Sequence, residues 1–270
     1  MSGTLNDVFA ARKTGGAFIP FFSIGDPDLE TTEALVKEAA AQGADVIELG
    51  FPFSDPIADG PVIQASYFRA LEKGFKVAQA FELVKKLRAS GVTTPIIGMV
   101  SETLVFKMGL ETFFKRAKDA GYSGLIVPDL PAGYEGNAVE VAKSTGIALI
   151  FLCAPTTTPE RRDLIGKLST GFVYYISVAG ITGTRSALPA DLESNVKDLK
   201  GRTKVPVCVG FGISQPEQAA AVGKMANGVI VGSALVKQIG QLIESKTPRA
   251  ELVKQVGVSV AALAKAAHGE

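Results

Sequence analysis

The chain has 270 residues, of which 47% are hydrophobic, and its 28 basic and 27 acidic residues leave a formal net charge of +1. This composition argues against a disordered chain, because it supplies enough apolar surface for a large buried core. It also argues against nucleic acid as the main partner, since binding to a phosphate backbone requires a clustered basic face. No apolar stretch reaches membrane-spanning length, and residues 1–13 do not resemble a signal peptide. We therefore predict a cytoplasmic protein without a membrane partner.

The residues most often used in metal and triad chemistry are scarce. Cys153 and Cys208 both lie in apolar runs, which favours buried free thiols over a disulfide or a metal pair. The only histidine, His268, stands two residues from the C-terminus, where we predict a frayed helix end. Metal catalysis and a Ser–His–Asp triad therefore lack their usual parts, and we predict no metal site.

Taken in chain order, the sequence begins with an amphipathic helix after Thr4 and then alternates between strand-like and helical segments. Eight short apolar runs rich in β-branched residues predict strands at Ala17–Ser23, Asp45–Gly50, Pro95–Ser101, Ser123–Val127, Ile147–Cys153, Phe172–Val178, Val205–Gly210 and Gly228–Gly232. Helical patterns lie between them at Leu29–Gln42, Ala78–Ser90, Glu111–Ala120, Gly136–Ser144, Glu160–Leu168, Asp191–Lys200 and Pro216–Gly223. Asp28 can cap the first of these helices, and Gly43 follows it. A last helix is predicted at Pro248–His268, with Thr247 as its N-cap.

Strands that are apolar throughout are buried on both faces, as in a parallel sheet covered by helices. Eight alternations without a linker predict a single (β/α)8 barrel (TIM barrel) domain over residues 1–270, with an N-terminal helix and an extra helical insertion after strand two, in the long segment Asp55–Phe75. A doubly wound open sheet is the alternative. It would favour a glycine-rich first turn, whereas residues 23–27 read Ser-Ile-Gly-Asp-Pro.

Glu48 is a carboxylate in the middle of an otherwise apolar strand. It could lie on the outer face of the strand and pair with a helix lysine. However, an unpaired carboxylate is costly to desolvate, so that charged residues are rare in buried parallel strands unless they have a function. An inward-facing Glu48 at the mouth of the barrel would have a raised pKa and could both give and take a proton near neutrality.

Asp59 lies on the long loop that follows this strand, 11 residues after Glu48. Pro52 and Pro56 stiffen the loop, and the sequence Asp-Gly-Pro at residues 59–61 predicts a turn that enters a helix. Asp55 and Asp59 could therefore serve only as turn formers or helix caps, which is a common role for aspartate. The position of Asp59 on a long loop at a strand end instead favours a role over the barrel mouth.

Three predicted strands end in glycine-bearing loops, which read Ala-Gly-Ile-Thr-Gly-Thr at residues 179–184, Gly-Phe-Gly-Ile-Ser at 210–214 and Gly-Ser-Ala at 232–234. Glycines at these strand ends allow backbone N–H groups to approach a phosphate, and the following helix N-termini favour its charge. One such loop would be weak support. Three of them after strands six, seven and eight predict a phosphate-binding site.

With these residues in place, the sequence closely resembles the tryptophan synthase alpha subunit family. The matching stretches are Phe18–Phe21, Gly25–Pro27, Glu48–Gly50 with Pro52–Pro56, Ala58–Gln64, Val127–Pro131, Gly180–Gly183, Gly210–Ser214 and Gly232–Ala234. They extend from the first predicted strand to the eighth, and the motif around residues 54–64 is highly specific to the family.

The resemblance implies a lyase that splits indole-3-glycerol phosphate into indole and glyceraldehyde 3-phosphate by a retro-aldol reaction, with no cofactor in this chain. At matching positions Glu48 is the general acid–base and Asp59 the partner of the indole N–H. The implied substrate-binding residues are Phe21 and Phe211 in the indole slot, Tyr174 near the acid–base, Thr182 on a closing loop, and Gly183, Gly212, Gly232 and Ser233 around the phosphate. For the three aromatic residues, plain core packing is the alternative.

The resemblance also implies a partner, a tryptophan synthase beta subunit that carries pyridoxal phosphate, in an α2β2 complex. Pro52, Asp55, Pro56 and Asp129 match positions that face this partner, and their alternative role is loop rigidity. Two other functions remain open: a stand-alone indole-3-glycerol phosphate lyase, and a non-catalytic activating subunit. The presence of both Glu48 and Asp59 argues against the second.

One stretch departs from the family. After strand three the family usually has a Tyr-x-Asn pattern, whereas this sequence has Ser101 and Thr103 at those places and an extra charge at Glu102. The resemblance places this loop near the substrate and near the partner. We therefore expect an altered pocket mouth or an altered partner contact, with the acid–base pair intact.

Overall fold

The computed structural model describes residues 4–12, 14–57, 59–177, 188–210 and 212–270. In this part of the chain, nine strands pair in parallel: β1 (Ala17–Ser23), β2 (Ile47–Gly50), β3 (Ile96–Met99), β4 (Gly124–Ile126), β5 (Ala148–Ile150), β6 (Leu152–Cys153), β7 (Val173–Ile176), β8 (Val207–Gly210) and β9 (Gly228–Val231). All eight predicted strands are present, most of them shortened by one or two residues at their ends.

The strands form a closed barrel. Their order is β5-β4-β3-β2-β1-β9-β8-β7-β6, so that the two ends of the order, β5 and β6, are consecutive in the chain and only Phe151 separates them. The predicted fifth strand is therefore interrupted at this one residue, because the N–H of Phe151 donates to Ser169 Oγ at 3.3 Å instead of to a neighbouring strand. The predicted (β/α)8 barrel is confirmed, and the alternative of an open sheet is wrong.

Helices surround the barrel: α1 (Leu5–Ala11), α2 (Leu29–Ala41), α3 (Pro61–Glu72), α4 (Val77–Ala89), α5 (Glu102–Met108), α6 (Leu110–Ala120), α7 (Ala138–Thr145), α8 (Pro159–Leu168), α9 (Leu192–Arg202), α10 (Pro216–Met225), α11 (Ser233–Glu244) and α12 (Arg249–His268). Helix α3 is the predicted insertion after the second strand. Asp28 caps α2 by accepting from the N–H of Thr31 at 2.7 Å, as predicted. Pro248, and not Thr247, is the N-cap of α12. Helices α5 and α11 were not predicted from the sequence.

The core has two layers because side chains alternate along each strand. Outward-facing residues pack against the helices, and inward-facing residues fill the barrel. The inner layer includes Ile19, Phe21, Ile97, Met99, Ile126, Tyr174, Cys208 and Ile230. Cys153 and Cys208 are buried free thiols, as predicted. None of the described helices is long and apolar enough to span a membrane.

The N-terminal end of the barrel is closed by α1 and by the end of α12. Leu5 and Phe172 belong to the inner layer of the core. His268 is only 8% exposed, and its Nε2 lies 2.7 Å from Asp45 Oδ2, which also accepts from the N–H of Phe18 at 2.7 Å. The prediction of a frayed end at His268 is therefore wrong, because a carboxylate at the start of the second strand holds the last turn of α12.

Helix α3 is attached to the end of β1 by two polar contacts. Arg69 donates from Nε and Nη2 to the two carboxylate oxygens of Asp26, both at 2.8 Å, and this carboxylate is almost fully buried. The hydroxyls of Ser23 and Ser66 lie 2.5 Å apart. A bidentate pair of this kind fixes the relative orientation of the two side chains and also stabilises their contact. The helix that follows the Asp59 loop is thus held against the first strand.

Candidate active site

A cavity of about 450 Å³ lies at the carboxyl ends of the strands. Its lining includes Phe21, Glu48, Asp59, Ile63, Met99, Tyr174, Gly212, Ile213, Ile230, Gly232 and Ser233. The elements that supply these residues are distributed around the whole barrel, from β1 to the start of α11. In barrels of this kind the catalytic residues come from the loops and strand ends at this face. The structure therefore brings together both predicted catalytic residues and five of the eight predicted substrate-binding residues.

Glu48 points into the barrel. Its register partners on β1 and β3 are Phe21 and Ile97, both of which belong to the inner layer of the core. Its side chain is fully buried, and among the described residues neither carboxylate oxygen has a hydrogen-bond partner. Burial, together with the nearby charge of Asp59, raises the pKa of Glu48 to about 8. A carboxyl group in this state is largely protonated at neutral pH and can act as a general acid.

Asp59 lies where the β2–α3 loop turns into helix α3. Its N–H donates to Pro56 O at 3.2 Å, and its carbonyl oxygen accepts from Gln64 Nε2 at 2.7 Å. Gly60, and not Asp59, is the N-cap of α3, so that the carboxylate does not serve as a helix cap. Burial, with the charge of Asp129 as a second cause, raises the pKa of Asp59 to about 7. The cavity thus contains two carboxyl groups that titrate near neutrality.

Gly212, Gly232 and Ser233 form another wall of the same cavity. Gly212 has φ +81°, a left-handed conformation that residues with a Cβ rarely adopt. Gly232 is the N-cap of α11, and Ser233 begins the helix. The first N–H groups of a helix have no intrahelical acceptor, and the helix dipole adds a partial positive charge there. This wall can therefore accept an anion such as a phosphate group.

Phe21 and Tyr174 contribute to the apolar part of the cavity, together with Ile63, Met99 and Ile230. Phe21 is only 4% exposed, so its ring both packs in the core and lines the cavity. Tyr174 is buried, and its Oη lies against the backbone of Gly210. An aromatic slot with few polar groups is typical of sites that bind small organic molecules.

Three of the predicted substrate-binding residues, Thr182, Gly183 and Phe211, lie outside the described residues. Ala58, in the loop before Asp59, does so as well.

Three of the four predicted partner-facing residues line a second cavity of about 340 Å³, which shares Asp59 and Met99 with the first. Asp55, Pro56 and Asp129 line it. Pro52 is buried and does not line this cavity. Ile57, which also lines this cavity, is 82% exposed.

The departure at residues 101–103 has a structural explanation. Ser101 is the N-cap of α5 and accepts from the N–H of Thr103 at 3.3 Å. The Ser101 hydroxyl donates to Asp129 Oδ2 and the N–H of Glu102 donates to Asp129 Oδ1, both at 2.7 Å. The Glu102 side chain is exposed. This stretch therefore holds Asp129 in place at the rim of the second cavity.

Tyr67 on α3 is a site residue that the sequence analysis missed. It lines the second cavity together with Ser101. A phenol thus reaches this cavity from helix α3. A signal was present, since Ile63, Tyr67 and Ala70 share the buried face of the helix at a spacing of three to four residues. That face could not be assigned to the active site before the position of α3 was known.

Among the described residues, no group of three or more His, Cys, Asp or Glu side chains could hold a metal ion. The described polar groups that line the two cavities are carboxyl groups, phenols, hydroxyls and backbone amides.

Comparisons with known proteins agree with this geometry. The family model of the tryptophan synthase alpha chain matches residues 9–268. The tryptophan synthase alpha chain of Rhodopirellula baltica is 45% identical over 241 residues, which cover 88% of this chain and 87% of that protein. The tryptophan synthase alpha chain of Geobacter sp. (strain M21) is 44% identical, with 96% of each chain covered.

Solved structures show the same similarity. The tryptophan synthase subunit alpha of Legionella pneumophila superposes with a TM-score of 0.88 at 34% identity, over 98% of this chain and 97% of that one. The tryptophan synthase of Mycobacterium tuberculosis gives a TM-score of 0.88 at 31% identity, over 99% of both chains. With the barrel, the two carboxyl groups in one cavity and these matches over nearly its whole length, the chain belongs to the tryptophan synthase alpha chain family, and it is a lyase of tryptophan biosynthesis.

Proposed function

We propose that this chain cleaves indole-3-glycerol phosphate to indole and glyceraldehyde 3-phosphate, with Glu48 as the general acid–base and Asp59 as the partner of the indole N–H. One observation carries the assignment: two carboxyl groups with raised pKa values, Glu48 fully buried and Asp59 partly buried, line one cavity together with glycines at a helix N-terminus. A flat apolar ring fits in this cavity, and an anionic tail fits against the glycines.

The reaction requires a proton at C3 of the indole ring and removal of the proton from the glycerol hydroxyl next to it. Glu48 in its protonated form gives its proton to C3, and the ring nitrogen then carries positive charge. Asp59 in its ionised form stabilises this charge, because a fixed carboxylate acts strongly in a water-poor cavity. Glu48, now ionised, takes the hydroxyl proton while the C–C bond breaks and the aldehyde forms. The electron pair of that bond restores the neutral indole, and Glu48 ends the cycle as it began.

The raised pKa values support this division of roles. A group that both gives and takes a proton works best when its pKa lies near the working pH. Glu48, with a pKa of about 8, still carries its proton at a pH where Asp59, with a pKa of about 7, has begun to ionise. Pairs of acids whose surroundings separate their pKa values are typical of sites that assign one acid and one base.

We assign the phosphate to Gly212, Gly232 and Ser233, and expect Gly212→Val to raise KM about tenfold or more with a smaller change in kcat. The valine side chain would fill the space that the phosphate approaches, and a positive φ disfavours it. Steady-state kinetics measure both parameters. Gly136→Val is a matched control, since Gly136 also has positive φ (+54°), and a Cβ there meets no atom within 4 Å. An unchanged KM in Gly212→Val would contradict the proposed phosphate site.

We propose that the partner is a tryptophan synthase beta subunit, which carries pyridoxal phosphate, and that this chain itself needs no cofactor. The support is the second cavity, whose rim combines Asp55, Pro56 and Asp129 with the exposed Ile57. A stand-alone lyase is the second candidate, and the cytoplasmic location stays a prediction.

The deciding experiment measures indole release from indole-3-glycerol phosphate by the purified chain, with and without an added beta subunit. Indole release that the beta subunit accelerates supports the alpha-subunit function. Fast release without any response to the beta subunit indicates a stand-alone lyase. A response of the beta subunit to this chain without any cleavage would indicate a non-catalytic activator and contradict the roles of Glu48 and Asp59.

A further inference from the structure

Tyr67 lines the second cavity together with Asp59, and the charges of Asp59 and Glu48 both act on its hydroxyl. Its side chain is 3% exposed and belongs to the inner layer of the core, although it is carried by helix α3. A Cβ added to Gly50 would lie 2.5 Å from Tyr67 Oη. The hydroxyl therefore rests on the backbone at the end of β2, two residues after Glu48. The polar contacts of α3 with β1, through Arg69 and Ser66, fix this placement.

The titratable side chains around Asp59 are carboxylic acids and phenols. The titratable groups that face it across the two cavities are Glu48 on β2, Tyr67 on α3, Asp129 after β4, Tyr174 on β7 and Asp55 on its own loop. No described Lys, Arg or His lines either cavity. A buried carboxylate in such surroundings needs a neutral hydrogen-bond donor if it is to stay ionised.

A phenol meets this need. Burial, followed by the charge of Asp59 and then that of Glu48, raises the pKa of Tyr67 well above its usual value, so that its hydroxyl keeps its proton. For Tyr174 the order is reversed, with the charge of Glu48 acting more strongly than that of Asp59. Tyr67 shares the second cavity with Asp59 but not with Glu48, whereas Tyr174 lines the first cavity with both carboxyl groups. Tyr67 is therefore the phenol that faces Asp59 alone.

We propose that Tyr67 is a positioning residue for the cleavage: in the reacting complex its hydroxyl donates a hydrogen bond to the Asp59 carboxylate and keeps it ionised and directed at the indole N–H. The inference rests on the proposed function and deepens it, because it explains how Asp59 can act as an anion while surrounded by other acids. A hydrogen bond to a charged group is among the stronger ones in proteins.

The test compares Tyr67→Phe with the wild-type chain over a range of pH. The phenylalanine retains the ring that packs in the core, so that the barrel should fold normally, which thermal unfolding will verify. We expect kcat to fall about tenfold while KM changes by less than about twofold, as for loss of one hydrogen bond to a charged group. The acidic limb of the pH profile of kcat should move up by about one pH unit, because Asp59 then ionises with more difficulty.

Tyr175→Phe is the matched control. Tyr175 follows Tyr174 on β7 and belongs to the outer layer of the core, and among the described residues its hydroxyl has no hydrogen-bond partner. This variant should retain the kinetic parameters and the pH profile of the wild-type chain. If Tyr67→Phe also retains both, Tyr67 does not position Asp59.

A binding measurement separates this inference from the proposed function. The probe is an indolyl-alkyl phosphate that lacks the reacting hydroxyl, and its affinity for each variant is measured by calorimetry as a function of pH. As the pH is lowered, the affinity of Tyr67→Phe for the probe should begin to fall at a higher pH than the affinity of the wild type. This result would support the role of Tyr67, even if no cleavage occurs. Identical pH dependence in the two proteins overturns it. Absence of cleavage in the wild-type chain would instead contradict the proposed function.

Discussion

Glu48→Gln is expected to lower kcat for indole-3-glycerol phosphate cleavage about a thousandfold or more, with KM nearly unchanged. The amide has the shape of the protonated carboxyl group, but it can neither give a proton to C3 nor take one from the hydroxyl. General acid–base catalysis contributes roughly a hundredfold to ten-thousandfold, and both transfers depend on this one side chain. Single-turnover measurement of indole release will determine the rate of the chemical step.

The control for this substitution is Glu140→Gln, at an exposed position in the first turn of α7. It makes the same chemical change far from the cavity and should have wild-type kinetics. A Glu48→Gln variant that turns over at near wild-type rate would show that another group transfers the protons. A large rise in KM would show that Glu48 acts in binding rather than in the chemical step.

Much of the fold could be predicted from local sequence. The strands of a parallel barrel are buried on both faces, so each strand appears in the sequence as a short apolar run. The first strand has the predicted bounds, and Asp28 caps α2 as predicted. The interruption at Phe151 could not be predicted, because it depends on a hydrogen bond to Ser169 from another part of the chain. The same reason explains the error at His268, whose partner Asp45 lies 223 residues away.

In the candidate site, too, some residues could be predicted from local sequence and others could not. The position of Glu48 could be predicted because a charge in an apolar strand is a local anomaly with a physical cost. The position of Gly212 could be predicted because a positive φ selects glycine. Ser101 lacked such a signal, and Tyr67 gave only the signal of a buried helix face. A tyrosine on the buried face of a helix has the pattern of any core residue, and the capping role of Ser101 depends on a helix that was not predicted.

The burial of Glu48 is also expected to make the chain lose stability as the pH rises from about 4.5 to about 8. Below this window the carboxyl group is protonated in both the folded and the unfolded chain. Inside it, the unfolded chain releases the proton while the folded chain keeps it, since the pKa is raised from 4.5 to about 8. The folded chain then binds more protons, and a higher pH favours unfolding. At roughly 1.4 kcal/mol per pKa unit, the loss is on the order of 4 kcal/mol.

Comparison with Glu48→Gln isolates this contribution, because the variant keeps every other titrating group, including Asp59. The free energy of unfolding of both proteins is measured by urea denaturation at several pH values. The free energy of unfolding of the variant minus that of the wild type should increase from about pH 4.5 upward and reach a plateau above about pH 8. Parallel stability curves would mean that Glu48 ionises as easily in the folded chain as in water. A carboxyl group with that property could not hold the proton that the first step of the cleavage requires, so that the same measurement, made without substrate, tests the physical basis of the mechanism.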